Sequence, residues 1–77
     1  MSVTVYTKTE SFCGQCKATE LALERAGITF NVVSLEAQTA EVIEDFKTRL
    51  GTAAPIVVTP DTAWSGFRPD LISSLAA

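Results

Sequence analysis

The chain has 77 residues, of which 47% are hydrophobic, and a formal net charge of −3. This length allows one hydrophobic core, so we expect a single domain over residues 1–77, and we expect it to be a monomer. The six basic residues are scattered, which argues against a nucleic-acid partner. No apolar run is long enough to cross a bilayer, and the N-terminal MSVTVYTK lacks the features of an export signal. We therefore expect a cytoplasmic protein without a membrane partner.

The first half of the chain predicts a strand, a helix and a second strand. Residues 3–6 alternate valine with polar side chains and predict a short strand. Apolar residues at helical spacing then run from position 16 to 26, with Cys13 at the N-terminus of this helix and Gly27 as its stop. Residues 28–35 are β-branched and aromatic and predict a second strand. The connecting helix makes the two strands parallel.

The second half predicts a helix, a β-hairpin and a final helix. Residues 39–51 place their apolar side chains on one face and end at Gly51. Residues 55–59 predict a third strand, and residues 63–65 predict its short hairpin partner. Residues 68–77 carry Pro69 and an acid in the first turn of a last helix. The element order is β-α-β-α-β-β-α, which makes this an α/β protein.

Both cysteines of the chain, Cys13 and Cys16, lie in one short motif, and there is no histidine. A structural zinc site takes four ligands, usually Cys or His, so zinc would require carboxylates or a second chain. A structural disulfide across so short a loop would remove little entropy from the unfolded chain, and the cytoplasm would keep it reduced. Core packing does not ask for two thiols at this spacing. These alternatives remain open beside a redox function.

A redox function accounts for the position of both thiols. At a helix N-terminus, Cys13 meets free N–H groups and the positive end of the helix dipole, which favour a reactive thiolate. Cys16 lies in the first turn, where it is more shielded and suits the role of resolving a mixed disulfide. Gly14 permits close approach of a partner, Gln15 is expected to tune the pair, and Lys8 is a candidate stabiliser of the thiolate. A Cys-x-x-Cys after the strand of a βαβ unit indicates a thioredoxin-like fold.

Four motifs in this order resemble those of the NrdH-redoxins, small glutaredoxin-like proteins of bacteria and their phages. The motifs are VTVYTK, a Cys-x-Gln-Cys, APIVV and the highly specific WSGFRPD of residues 64–70. The resemblance covers nearly the whole chain. It implies a thioredoxin fold, with a four-stranded mixed sheet and three helices, and the activity of a thiol-disulfide oxidoreductase. It also implies an electron donor to class Ib ribonucleotide reductase that is recharged from NADPH through thioredoxin reductase and holds no metal or organic cofactor.

The same resemblance assigns roles to individual residues. Cys13 and Cys16 are the catalytic pair. Pro55 occupies the place of the cis-proline of thioredoxin-like proteins, which leaves the backbone of Ala54 free to pair with an extended partner peptide. The last motif is implied to support the active site through hydrogen bonds and to dock the reductase. The residues that carry this role are Trp64, Ser65, Gly66, Phe67, Arg68 and Asp70.

Several alternatives and departures accompany this interpretation. From the residues alone, Trp64 fits either an exposed docking surface shared with Phe67 or the core. Gly14 stands where the family usually has valine, and the loop before Cys13 is longer than is common. The alternative redox function is that of a glutathione-dependent glutaredoxin, and the alternative from another class is a zinc-binding module. Ordinary glutaredoxins carry Thr-Val-Pro and a glycine-rich turn where this chain has Ala-Ala-Pro and bulky residues, which disfavours tight glutathione binding.

Overall fold

A computed structural model describes residues 2–8 and 12–76 of the chain. The longer loop predicted before Cys13, TKTESFC, includes residues 9–11, which lie outside the described residues. The elements are β1 (Thr4–Thr7), α1 (Gly14–Arg25), β2 (Asn31–Ser34), α2 (Ala40–Arg49), β3 (Ile56–Val58), β4 (Ala63–Ser65) and α3 (Pro69–Ala76). Their order is the predicted β-α-β-α-β-β-α.

The four strands form one mixed sheet in the order β2-β1-β3-β4. β1 and β2 run parallel and are joined by α1, while β3 lies antiparallel to both β1 and β4. The hairpin between β3 and β4 closes on Thr59, whose Oγ1 donates to the carbonyl of Thr62 and whose N–H donates to the same oxygen. The predicted thioredoxin fold is therefore confirmed in its strand directions and in its helix connections.

The strand alternation divides the apolar residues between the two faces of the sheet. The main core is formed by one face of the sheet together with α1 and α3, and its buried members are Val3, Val5, Leu23, Val57, Trp64 and Ile72. Tyr6, which follows Val5 and so points to the opposite face, contacts Phe46 of α2 with ring centroids 5.0 Å apart. The helix with the two cysteines thus packs on the same face as α3.

The second strand is shorter than the sequence predicts, because it begins at Asn31 and not at residue 28. The N–H of Ile28 donates to the carbonyl of Leu23 at 3.0 Å, which ties this residue to the end of α1. Ile28 and Phe30 pack against the main core without pairing in the sheet. The apolar character of these two residues therefore reflects burial of a connecting segment and not strand pairing.

Thr19 of α1 is fully buried, and its Oγ1 has no hydrogen-bond partner among the residues described. We expect Thr19→Val, which keeps the shape and removes the unpaired hydroxyl, to raise the free energy of unfolding by about 1 kcal/mol. The matched control is Thr39→Val, because Thr39 Oγ1 caps α2 by accepting from the N–H of Val42. That change should lower the free energy of unfolding by about 1 kcal/mol. Urea denaturation of both variants measures these changes. If both variants changed the free energy of unfolding in the same direction, the assignment of Thr19 Oγ1 as an unpaired buried hydroxyl would be contradicted.

Candidate active site

The two cysteines form a disulfide at the N-terminus of α1, with their Cα atoms 5.2 Å apart. Cys13 is the N-cap residue in an extended conformation, and its Sγ accepts from the N–H of Cys16 at 3.2 Å. Cys13 is half-buried, whereas Cys16 is 3% exposed. A partner can therefore reach the sulfur of Cys13 first. The backbone N–H donors of this helix end are placed to stabilise negative charge on that sulfur after reduction.

The peptide bond between Ala54 and Pro55 is cis, as the resemblance implied. Pro55 is fully buried, and its carbonyl accepts from the N–H of Gly66 at 2.8 Å. The pairing of β3 with β1 stops at Ile56, so Ala54 lies outside the register of the sheet. Ala54 instead borders a depression of about 330 Å³ next to Cys13. We call this the Ala54 depression, and its other lining residues are Lys8, Phe12, Gly14, Gln15, Thr52 and Ala53.

Gln15, between the two cysteines, is joined to the WSGFRPD segment by a hydrogen bond. Its Oε1 accepts from the backbone N–H of Phe67 at 3.1 Å, across 52 positions of sequence. The backbone of Gly66 comes close as well, because a Cβ at that position would lie 3.1 Å from Gln15 Oε1 and 3.3 Å from the Cβ of Ala53. The segment before α3 thus packs directly on the cysteine motif. The sequence analysis did not specify this contact.

The position of Trp64 decides between the two interpretations that the sequence left open, and the exposed docking surface is the one that is wrong for this residue. Its side chain is 4% exposed and belongs to the main core, where β4 pairs it with Val57. Trp64 therefore supports the fold and does not itself offer a docking surface. The neighbouring Ser65 donates its hydroxyl to the carbonyl of Leu50 at 2.8 Å, which attaches β4 to the end of α2.

The remainder of the segment leads into α3 and is exposed at its side chains. Phe67 is 37% exposed. Arg68 and Asp70 form an exposed ion pair in which Nε donates to Oδ1 at 3.2 Å and Nη2 donates to Oδ2 at 3.0 Å. The hydrogen bond from Arg68 lowers the pKa of the Asp70 carboxyl from its usual value, and the same contact raises the pKa of the guanidinium. Each carboxylate oxygen of Asp70 thus accepts one hydrogen bond from Arg68.

Comparison with known proteins gives the family. The glutaredoxin family model matches residues 3–64. The chain is 36% identical over 75 residues to the glutaredoxin-like protein NrdH of Escherichia coli K12, covering 97% of this chain and 89% of the relative. It is 38% identical over 74 residues to NrdH of Lactococcus lactis subsp. cremoris, covering 96% and 99% of the two chains.

Solved structures agree with these matches. The structure of the E. coli NrdH-redoxin, described as a glutaredoxin-like protein with a thioredoxin-like activity profile, superposes with a TM-score of 0.81 at 36% identity, covering 97% of this chain and 95% of that chain. The chain belongs to the NrdH-redoxins of the glutaredoxin family. A glutaredoxin from Archaeoglobus fulgidus superposes with a TM-score of 0.70 at 28% identity, covering 95% and 83% of the two chains.

As an NrdH-redoxin, the chain is a thiol-disulfide oxidoreductase whose redox-active pair is Cys13 and Cys16. Lys8, the predicted thiolate stabiliser, is exposed and borders depressions on both sides of Cys13. Within residues 2–8 and 12–76, no three His, Cys, Asp or Glu side chains are grouped so that they could hold a metal ion. No helix of the described chain has the length and apolarity to span a membrane.

The contact between Gln15 and Phe67 can be tested in this NrdH-redoxin by amide hydrogen exchange. We expect Gln15→Leu to speed exchange of the Phe67 amide about two- to tenfold, because the exposed N–H loses its acceptor. Gln15→Glu is the matched control, since its carboxylate retains an oxygen that can accept this bond. If both variants exchange at the wild-type rate, Gln15 does not hold the segment.

Proposed function

We propose that this protein carries two electrons to class Ib ribonucleotide reductase and is recharged by thioredoxin reductase, not by glutathione. The observation that carries this proposal is the segment of residues 64–70, which packs on the cysteine motif through Gln15 and fills its turn with bulky groups. The sequence identity of 36–38% with NrdH proteins, which extends over nearly the whole chain, supports this proposal.

The first chemical step is attack by Cys13. Its thiolate displaces one sulfur of a disulfide in the partner, so that a mixed disulfide forms and the released partner thiolate takes up a proton. The exposure of Cys13 relative to Cys16 supports this assignment. The position of Ala54 beside Cys13 and outside the sheet supports pairing of its backbone with an extended segment of the partner.

The second step releases the reduced partner. The thiolate of Cys16 attacks the sulfur of Cys13, forms the intramolecular disulfide seen in the structure, and expels the second partner thiolate, which is protonated. The partner has then gained two electrons, and the cysteine pair has lost two. Thioredoxin reductase receives two electrons from NADPH through its flavin, and its dithiol passes them to the oxidised cysteine pair of this chain. No cofactor bound to this chain is needed, and the cytoplasm supplies the required NADPH.

The geometry of the last turn disfavours glutathione as the reductant. Ordinary glutaredoxins use a glycine-rich turn before an Asp of the last helix, whereas here that turn contains Phe67 and Arg68. The two oxygens of the corresponding Asp70 carboxylate already accept from Arg68. A charged tripeptide would have to compete with Arg68 for this carboxylate and fit beside the Phe67 side chain.

The test is NADPH consumption with a model disulfide under two recharging systems. We expect turnover with thioredoxin reductase and little with glutathione and glutathione reductase. Turnover only with glutathione would make this protein a glutathione-dependent glutaredoxin and would overturn the proposal. The client is tested separately, by measuring deoxyribonucleotide formation by a purified class Ib enzyme, and no stimulation by the reduced protein would remove that enzyme as the client.

A further inference from the structure

Phe12, immediately before the attacking cysteine, is the most exposed large hydrophobic side chain in the described part of the structure. Its side chain is 89% exposed. Its ring lies beside the backbone of Gly14, with ring atoms 3.7 and 3.9 Å from the position that a Cβ would occupy. A single exposed apolar residue is ordinary on a protein surface. What distinguishes Phe12 is its location, since it borders depressions on both sides of Cys13.

The second of these depressions lies away from Ala54 and contains a second exposed apolar residue. It has a volume of about 350 Å³ and is bordered by Phe12, Cys13, Cys16 and Val32. Val32 is a residue of the edge strand β2 and is 51% exposed. Two of the four exposed large hydrophobic residues described thus flank the redox-active disulfide. We call this the Phe12–Val32 depression.

The two depressions share Lys8 and differ in their other charged residues. Lys8 is the only charged residue that lines the Ala54 depression among the residues described. Lys8 and Lys17, offset by Glu20, line the Phe12–Val32 depression, so among the residues described both depressions have a net charge of +1. An acidic group of a client is therefore attracted to Lys8, which borders both depressions, while an apolar group gains most between Phe12 and Val32.

We propose that the Phe12–Val32 depression selects clients by receiving an apolar side chain that flanks the client cysteine attacked by Cys13. The client is an extended polypeptide segment, with an acidic residue that faces Lys8. Such a segment comes close to Phe12, because its reacting sulfur must come within bonding distance of the neighbouring Cys13. This inference rests on the proposed role of Cys13 as the attacking sulfur. Phe12 and Val32 are positioning residues and take no part in sulfur exchange.

The test compares three disulfide substrates by their kcat/KM. Two are disulfide-linked peptides that carry an acidic residue and differ only in having leucine or serine next to the target cysteine. The third, hydroxyethyl disulfide, has no peptide to position. We expect the wild-type protein to prefer the leucine peptide. Phe12→Ala should lower kcat/KM for the leucine peptide about tenfold, while kcat/KM for each of the other two substrates changes less than about twofold.

Three further variants make the result specific. Val32→Ser should also lower kcat/KM for the leucine peptide selectively, and Phe12→Leu should retain most of the preference because it remains apolar. Leu21→Ala is the matched control, since Leu21 is 46% exposed but lies on α1 outside both depressions. If Phe12→Ala lowers kcat/KM equally for all three substrates, or lowers it for none, the inference about Phe12 and Val32 is overturned while the proposed exchange chemistry stands. Failure of the wild-type protein to reduce any of the three would overturn the proposed exchange chemistry together with it.

Discussion

Replacing Cys16 with serine is expected to convert the protein from a catalyst into a trap. Cys13 can still attack a partner disulfide, but the sulfur that would release the partner is missing, so the mixed disulfide accumulates. Steady-state turnover with a protein disulfide should fall at least about a thousandfold. Mass spectrometry after acid quenching should show a covalent adduct of this chain with the partner.

Cys13→Ser is the matched control, because it removes the accessible sulfur and leaves the buried one. We expect neither turnover nor adduct from this variant, since Cys16 is 3% exposed. The opposite pattern, with an adduct formed by Cys13→Ser and none by Cys16→Ser, would reverse the two roles. An adduct in both variants would show that burial of Cys16 does not protect it from attack.

Gly66→Ala is expected to be among the most destabilising small substitutions in this chain. Gly66 has φ +80°, in the left-handed region that a Cβ disfavours by roughly 1–2 kcal/mol. The added Cβ would also stand 3.1 Å from Gln15 Oε1 and 3.3 Å from the Cβ of Ala53. Together these effects should lower the free energy of unfolding by about 2–4 kcal/mol.

Gly27→Ala provides the control for this prediction. Its φ of +74° is close to that of Gly66, but nothing lies within 4 Å of the position of its Cβ. We therefore expect only the backbone cost, about 1–2 kcal/mol. The difference between the two variants, measured by urea denaturation, isolates the contact with the cysteine motif. Equal losses would mean that the WSGFRPD segment does not pack closely on Gln15.

A second substitution locates that contact. In a Gly66→Ala background, Gln15→Ala removes the oxygen that the new Cβ approaches, so part of the lost stability should return. If the losses of stability in the two single variants simply add in the double variant, the destabilisation by Gly66→Ala comes from Ala53 or from the backbone alone.

The elements of the fold could be predicted because their signals are local. Alternating valines mark β1, an apolar face and a closing Gly51 mark α2, and the spacing of two cysteines at a helix start marks the redox site. The start of β2 could not be placed from the same signals. Ile28 and Phe30 have the composition of a strand, but their apolar side chains serve the core from a connecting segment.

The features that the sequence left open depend on tertiary contacts. Whether Trp64 faces solvent or the core is decided by the register of β4 against β3, in which Trp64 lies opposite Val57. The bond between Gln15 and Phe67 joins residues 52 positions apart, and no periodicity predicts it. Phe12 carried one overlooked signal, an aromatic residue in a polar loop directly before a reactive cysteine.

The most direct test of the account is a single-turnover titration of the oxidised protein with thioredoxin reductase and NADPH, in the absence of glutathione and of any client. The account predicts oxidation of about one NADPH per chain, because one disulfide takes up two electrons. It also predicts that alkylation then labels both Cys13 and Cys16. No NADPH oxidation, with the disulfide still intact, would contradict the claim that thioredoxin reductase recharges this pair.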